Sequence, residues 1–504
     1  MATALTSATS SKHGHLDRPT TFEGAQTATD GQVSAPIPTF SQVELDWTLH
    51  DLYSLDGGDP DKTSIVMSGP IPFGSVSSSL PANTKYVYQS PTAPDLGRDV
   101  YARIGLGNGT QNHYFSAGPM NVYLFDIEHP KHDVENNCVE SPPSHQTDAF
   151  RVYDGLVPEQ RPKVHFIPRH DALKMKPGVS ISPYPPMDFL DGHTCILDQE
   201  KHYRLMSKRD LALSDLPSPK TKVFDGHLTA EEARDDDKVE QEVERFVQAV
   251  RSEALPFVIK FPQSVTGQGV WFIGDEEKRE SWMELLRKEV GSMIRSLNLE
   301  NEHLNVVSLL FQQLVVDGRT NNMSLFITPK GRAVFVSCCE QIIDSAGIWK
   351  GSTIDYERQQ ELEEEFTPLM KRVAAHVYKQ GFTGGMGFDV MTDQRGDQLV
   401  VDMNVRLTGD FFMGPLRSHY KSRGMRYSYF ISPLVFAGDR DSFEKIFGAE
   451  LQAGQMIIIG WCRGKVRGLG STYSVCSFSI GGESMEDMLS LGEQVYGATL
   501  PRPS

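Results

Sequence analysis

Cysteine is scarce in this chain: six residues in 504, at Cys138, Cys195, Cys338, Cys339, Cys462 and Cys476. Their spacing makes no CxxC pair and no Cys/His metal pattern, which excludes a cysteine-built metal site and favours reduced thiols in a cytosol. Long apolar runs are also absent. None approaches the roughly 18 residues that a membrane-spanning helix needs. Basic excess is missing too: 49 Lys and Arg stand against 66 Asp and Glu, a net charge of -17 that argues against a nucleic-acid partner. The first 38 residues lack both the apolar core of a secretory signal and the arginine richness of a transit peptide, and read as a disordered leader. Without such a signal, the glycosylation-like "NGT" at Asn108 to Thr110 reads as chance.

What is present is the composition of a soluble globular protein, with 39% hydrophobic and 23% charged residues, long enough for two to four domains. From about 40 to 200, short strand-like runs ("TSIVMSG", "KYVYQS", "NVYLFDI", "KVHFIP") alternate with Pro/Gly-rich connectors, as in an irregular α/β domain. "RIGLGNGTQN" has glycines at 105, 107 and 109, but GxGxG without a following amphipathic helix reads as a turn and not as a dinucleotide cradle. Helices are expected over 229–253, 277–297 and 357–379, each with an apolar stripe at helical spacing. Strands are expected at "PFVIK", "VWFI", "NVVSLLFQQLVVDG", "SLFITPKG", "AVFVSCCEQI", "GGMGFDVMTD" and "QLVVDMNVR". Two more ("QMIIIGWC", "STYSVCSFSI") and a closing helix end the chain.

Two stretches carry chemistry. In "VIKFPQSVTGQGVWFI", Lys260 ends a strand and is followed by Ser264, Thr266, Gly267, Gln268 and Gly269. One cation and several backbone N–H groups can surround a phosphate there, because glycine lets the backbone come close. The bland reading is a simple hairpin turn. In "GFDV" and "VDMNVR", Asp389 sits in an apolar context while Asp402, Asn404 and Arg406 share one strand face by the period-two rule. If the two strands pair through "MTDQRGDQ", Asp389 meets Asp402 across the ladder. Two carboxylates and an amide oxygen suit Mg²⁺, and an adjacent arginine suits phosphate or carboxylate oxygens. The alternative is an exposed Asp402–Arg406 ion pair with little consequence.

The order of these elements over residues 203 to 420 resembles the ATP-grasp superfamily, which includes D-alanyl-D-alanine ligase, biotin carboxylase and many carboxylate–amine ligases; "GGMGFDVMTDQRGDQLVVDMNVRLTGD" is its most specific part. The resemblance implies an α/β (α+β) fold of two α+β subdomains. It divides the chain into a leader (1–38), an N-terminal α/β domain (39–202), a small subdomain (203–308), a large subdomain with the metal site (309–440) and a C-terminal α+β segment (441–504). Carried over position by position, Lys208 and Lys260 are the nucleotide-phosphate lysines, and Ser264, Gly267, Gln268 and Gly269 the phosphate loop. Gln312, Gln313, Leu314 and Val315 fall on the adenine-binding hinge. Asp389, Asp402 and Asn404 are the metal ligands for Mg²⁺, with Mn²⁺ as a substitute, and Arg406 contacts the transferred phosphoryl group or a substrate carboxylate. Glu340, Gln341, Lys350 and Ser352 line the acceptor side. Two departures stand out: Gln at 312 and 313 where the superfamily often has Glu, and Asp402 where Glu is frequent.

The same resemblance implies an ATP-dependent ligase that joins a carboxylic acid to an amine through an acyl phosphate, releasing ADP. The chain style resembles fungal ATP-grasp proteins of natural-product clusters, some of which join a small acid such as an epoxysuccinate to an amino acid. The resemblance is compatible with a homodimer, since members of the superfamily are often dimers, and no membrane or nucleic-acid partner is expected. The alternatives are a non-catalytic nucleotide-binding scaffold, a small-molecule kinase and, last, a dehydrogenase on "GLGNG".

Overall fold

The computed structural model describes residues 40–67, 83–89, 109, 111–125, 144–167, 170–264, 269–316, 318–343, 349–465 and 472–499. Gly267, Gln268 and most of "RIGLGNGTQN" lie outside the described residues. All described residues belong to one compact unit, Phe40–Ser504.

Four parallel strands open the chain: β1 (Thr63–Met67), β2 (Asn121–Phe125), β3 (Lys163–Ile167) and β4 (Ser180–Tyr184), in the order β3-β2-β1-β4. The apolar runs at Ile65, Val66, Val122 and Leu124 are 2% exposed or less, as expected of a parallel sheet covered on both faces. The run "KYVYQS" contributes only an isolated bridge, Gln89 to Ser264, and "SISPY" supplies the fourth strand. Pro183 hid that strand from a propensity reading, since proline is usually confined to edges, and β4 is an edge.

A small antiparallel sheet follows, built from β5 (Thr221–Asp225), β6 (Phe257–Lys260), β7 (Val270–Ile273) and β8 (Ser308–Gln313) in the order β5-β8-β6-β7. Before it stands a short helix, α1 (Lys208–Ala212), and within it run α2 (Asp236–Ser252) and α3 (Glu276–Arg295). Helix α2 begins at 236 and not at 229, because the Asp235 carboxylate caps the amides of Asp237 and Lys238 and a 3-10 turn occupies Glu232–Arg234. Its stripe Val239, Val243, Phe246, Val247 and Val250 is buried, with Phe246 edge-on to Phe224 of β5.

The third sheet has eight strands: β9 (Arg319–Ile327), β10 (Ala333–Ile343), β11 (Trp349–Asp355), β12 (Gly384–Thr392), β13 (Gln398–Asn404), β14 (Tyr427–Phe436), β15 (Met456–Lys465) and β16 (Thr472–Gly482). Their order is β13-β12-β9-β10-β11-β14-β16-β15. Helix α4 (Gln359–Lys379) clusters with one face through Leu362, Phe366, Leu369 and Val373, and α5 (Met485–Ala498) through Met488, Leu491 and Val495. Strand β14 falls in a stretch where no element is expected from the sequence. Pro433 interrupts its pattern, and the register to β16 shifts between Ile431 and Leu434 around that proline. Through β14 the last two strands extend the same sheet, with no break at residue 441.

No helix among the described residues is long and apolar enough to cross a membrane.

Candidate active site

The β12–β13 hairpin pairs Asp389 with Asp402 and Gly387 with Asn404, so both carboxylates and the amide share one face of the large sheet. Next to β12 on the other side, Asn322 of β9 is the cross-strand partner of Asp389 and donates to its Oδ1 at 2.8 Å. Gln341 of β10 donates to the same oxygen at 2.9 Å. Desolvation, and then the charge of Asp402, push the Asp389 carboxyl up to about 7 despite these two donors.

Both lysines converge on the opposite edge of this pair. Lys208 opens α1, whose backbone is pinned by the Lys208 amide to the Pro262 carbonyl at 2.9 Å. Its Nζ lies 3.0 Å from Asp402 Oδ2 and donates to the Ser264 carbonyl at 2.8 Å. Lys260 is the last residue of β6 and donates from Nζ to the Val401 carbonyl at 2.9 Å. It is buried, and desolvation pushes its ammonium down to about 8, although Asp402 pulls the other way.

The ends of the small-residue loop are held together. Phe261 donates to the Gly269 carbonyl, and a Cβ at Gly269 would stand 2.7 Å from Ser264 Cβ with φ at +70°. Only glycine fits there without displacement. Gln263 and Gln89 exchange backbone and side-chain hydrogen bonds beside the loop.

Arg406 is not on β13, which ends at Asn404. The chain turns tightly, with the Arg406 amide on the Asn404 carbonyl at 2.7 Å, and the guanidinium folds back to Asn404 Oδ1 at 3.0 Å. It also lies 4.6 Å from the ring centre of Tyr184, the final residue of β4, at the carboxyl edge of the parallel sheet. The turn that follows covers the site face of the large sheet. Thr408 meets the Ser324 hydroxyl at 2.9 Å, and Asp410 Oδ2 accepts from Ser352 at 2.8 Å. Glycines make this possible: a Cβ at Gly385 would meet Leu407 at 2.5 Å and one at Gly387 would meet Thr408 at 2.3 Å.

Of the remaining candidates, Gln312 is buried and donates to Thr221, while Gln313 is exposed and its amide is used by the Lys220 carbonyl. Leu314 and Val315 are half-buried just past β8. Glu340 is exposed; Lys350 and Ser352 lie two apart on β11, and Ser352 is fully buried. Trp349 packs near Phe430, and Cys338 and Cys339 are buried. Asn322, Asp410 and Tyr184 were missed from sequence. The alternation in "RTNNMSLFI" offered a signal for Asn322, and "LTGD" placed Asp410 only four residues past Arg406.

Among the described residues there is no group of three or more His, Cys, Asp or Glu fit for a metal. Asp389, Asp402 and Asn404 share one face and could together offer a hard cation such as Mg²⁺ two carboxylates and one amide oxygen. Two of these three side chains carry cationic partners: Lys208 on Asp402 and Arg406 on Asn404.

Residues 237–404 match the family described as "L-aspartate--L-methionine ligase, ATP grasp". A curated relative, the butirosin acyl-carrier protein–L-glutamate ligase of Niallia circulans, is 26% identical over 167 residues, 33% of this chain and 36% of that protein. The match thus spans little more than a third of that relative's length. Among solved structures, the N5-carboxyaminoimidazole synthase of Aspergillus clavatus covers 87% of this chain and 98% of its own at 9% identity, with a TM-score of 0.45. The phosphoribosylamine–glycine ligase of Thermotoga maritima covers 87% and 97% at 13% identity, also with a TM-score of 0.45. The stretch that matches the ATP-grasp family model takes in Lys260, Asn322, Asp389, Asp402 and Asn404, a third of the chain.

Proposed function

We propose that this protein is an ATP-dependent, ADP-forming ligase that joins a small carboxylic acid to an amino acid through an acyl phosphate. The observation that carries the reading is the Asp389–Asp402 pair with Lys208 and Lys260 at its edge and Arg406 beside it. Two carboxylates alone bind a cation; with three basic side chains around them, the site also accepts a polyphosphate.

Asp389, Asp402 and Asn404 would hold Mg²⁺ or Mn²⁺, which when bound supplies charge neutralisation at the nucleotide phosphates. Lys208 exchanges its carboxylate partner for phosphate oxygens. Lys260, already desolvated, meets a phosphate anion without further loss of hydration. Ser264 and Gly269 flank the expected phosphate loop, whose residues 265–268 lie outside the described residues, and the end of β8 around Gln312, Gln313, Leu314 and Val315 is the place for adenine. The acid's carboxylate attacks the γ-phosphoryl group, and the amine then displaces phosphate from the acyl carbon. Arg406 is placed to stabilise charge on the transferred group.

The relatives bear on the substrates. The matched family is described by two amino acids and the curated relative by L-glutamate, which supports an amino acid on at least one side. Aspartate has the same four-carbon dicarboxylate frame as an epoxysuccinate, so a short dicarboxylic acid suits the acid side. A panel of such acids crossed with amino acids, beginning with L-aspartate and L-methionine, tests the reading: ADP release that needs both partners supports it. ADP released with a stable phosphorylated acid and no amine requirement marks a kinase. Tight nucleotide binding with no turnover across the panel marks a scaffold.

A further inference from the structure

Two polar atoms near Arg406 are buried and lack partners, and both are acceptors. Asp410 is 3% exposed; its Oδ2 takes the Ser352 hydroxyl, the Thr408 side chain lies close enough to favour its ionised form, and its Oδ1 makes no well-formed hydrogen bond. His113 is 9% exposed, with Nδ1 2.6 Å from the Gly109 carbonyl. A carbonyl only accepts, so the proton sits on Nδ1 and leaves Nε2 as a lone-pair acceptor, which also lacks a partner. The His113 ring lies 4.4 Å from the Tyr184 ring, on which Arg406 rests. Both His113 and Asp410 feel the charge of Arg406.

Asp410 is also wired to the metal face. Gln341 and Ser352 are cross-strand partners, so their side chains share one face about 5 Å apart. Gln341 donates to Asp389 and Ser352 to Asp410. The two carboxylates thus sit at either end of a neighbouring pair of donors.

A buried acceptor without a donor is costly, and here two stand around one guanidinium that is already engaged with Asn404 and the Leu407 carbonyl. What is missing is a group rich in N–H. An ammonium has three, and its positive charge suits a carboxylate screened from water. Neither a phosphate nor a substrate carboxylate meets that need, since both only accept.

We propose that Asp410 and His113 form the subsite for the amine substrate, with Asp410 Oδ1 holding its ammonium and His113 Nε2 taking a second N–H. This rests on the ligase reading above, and it assigns the two substrates to different groups: the activated acid to Arg406, the amine to Asp410 and His113.

The test separates the two half-reactions in the full-length protein. Hydroxylamine is an uncharged nucleophile near neutral pH and traps an acyl phosphate without needing an ammonium site. With the acid and amino acid that the panel yields, Asp410→Asn is expected to raise the KM for the amino acid about tenfold or more, while hydroxamate from hydroxylamine stays within about threefold of the native chain. Ser352→Ala and His113→Phe, which keep the fold's packing, are expected to raise the same KM severalfold and decide the matter if Asp410→Asn does not fold. An unchanged amino-acid KM overturns the proposal. So does a parallel loss of amide and hydroxamate, which would place Asp410 in acid activation or in the fold alone. Failure of the ligase reading itself shows elsewhere, as no acid-dependent hydroxamate from the native chain.

Discussion

Lys208 Nζ stands 3.0 Å from Asp402 Oδ2 and 2.8 Å from the Ser264 carbonyl, so one ammonium joins a proposed metal ligand to the root of the small-residue loop. Nucleotide with its metal must compete for both ends of that bridge. Lys208→Ala is expected to weaken MgADP binding by about ten- to a hundredfold, the worth of a charged hydrogen bond to phosphate. Calorimetric titration checks it; unchanged affinity would remove Lys208 from the site.

Asp402 is one methylene shorter than the glutamate frequent in the superfamily that the chain resembles, yet its register opposite Asp389 is direct. Asp402→Ala is expected to cut acid-dependent ADP release by about a hundredfold or more. Asp402→Glu restores the longer reach and should hold turnover within about tenfold. Steady-state ADP assays at saturating Mg²⁺ distinguish the two, and an Asp402→Ala variant near native turnover would contradict the assignment.

Stability should follow the pH dependence of the site. The Asp389 carboxyl is raised from 3.8 to about 7 in the fold, so between those values the unfolded chain has lost a proton that the native state keeps. Unfolding then binds fewer protons, and stability falls as pH rises through that window. Lys260 is lowered from 10.5 to about 8, which has the opposite sign: stability gains as pH rises from about 8 towards 10.5. Thermal melts of the unliganded protein should show the first slope flattened in Asp389→Asn and the second in Lys260→Met. MgADP affinity should peak between the two values, where Asp389 has shed its proton and Lys260 still has its own. Melting profiles that superimpose on the native one would refute this.

Gly387 is bare where Thr408 lies down on the sheet, and a Cβ there would stand 2.3 Å from Thr408 Cγ2 and 3.0 Å from the Met323 carbonyl. Gly387→Ala should cost about 1–3 kcal/mol through overpacking. It should also lower turnover, because the displaced turn carries Arg406 and Asp410. Adding Thr408→Ser removes the clashing methyl while keeping a hydroxyl for Ser324, and should recover part of both losses. Chemical denaturation and ADP assays on the single and double variants read the coupling.

The hairpin register was legible because apolar flanks and a period-two polar pattern leave few ways to pair "GFDV" with "VDMNV". Lys260 was legible for a related reason: the β-propensity of "FVIK" ends at Phe261-Pro262, ahead of a run rich in small residues. Arg406 was placed one step too simply, since nothing local marks where β13 stops; tertiary contact with Tyr184, over two hundred residues earlier, decides it. Asn322, Asp410 and His113 escaped for the same reason. Their meaning lies in partners from other strands, and a lone polar residue in an apolar run has no sequence-local signature of what it faces. Strand β14 was hidden by Pro433, whose cost is absorbed by a register shift that the sequence does not reveal.

The acyl phosphate is the central intermediate of the proposed reaction, and an isotope experiment tests it most directly. The acid substrate is prepared with heavy oxygen in its carboxyl group and turned over with ATP, Mg²⁺ and the amino acid, and the inorganic phosphate is weighed by mass spectrometry. The prediction is one heavy oxygen transferred to each phosphate, with ADP as the nucleotide product. Release of AMP, or amide formed with phosphate carrying no label, would contradict it.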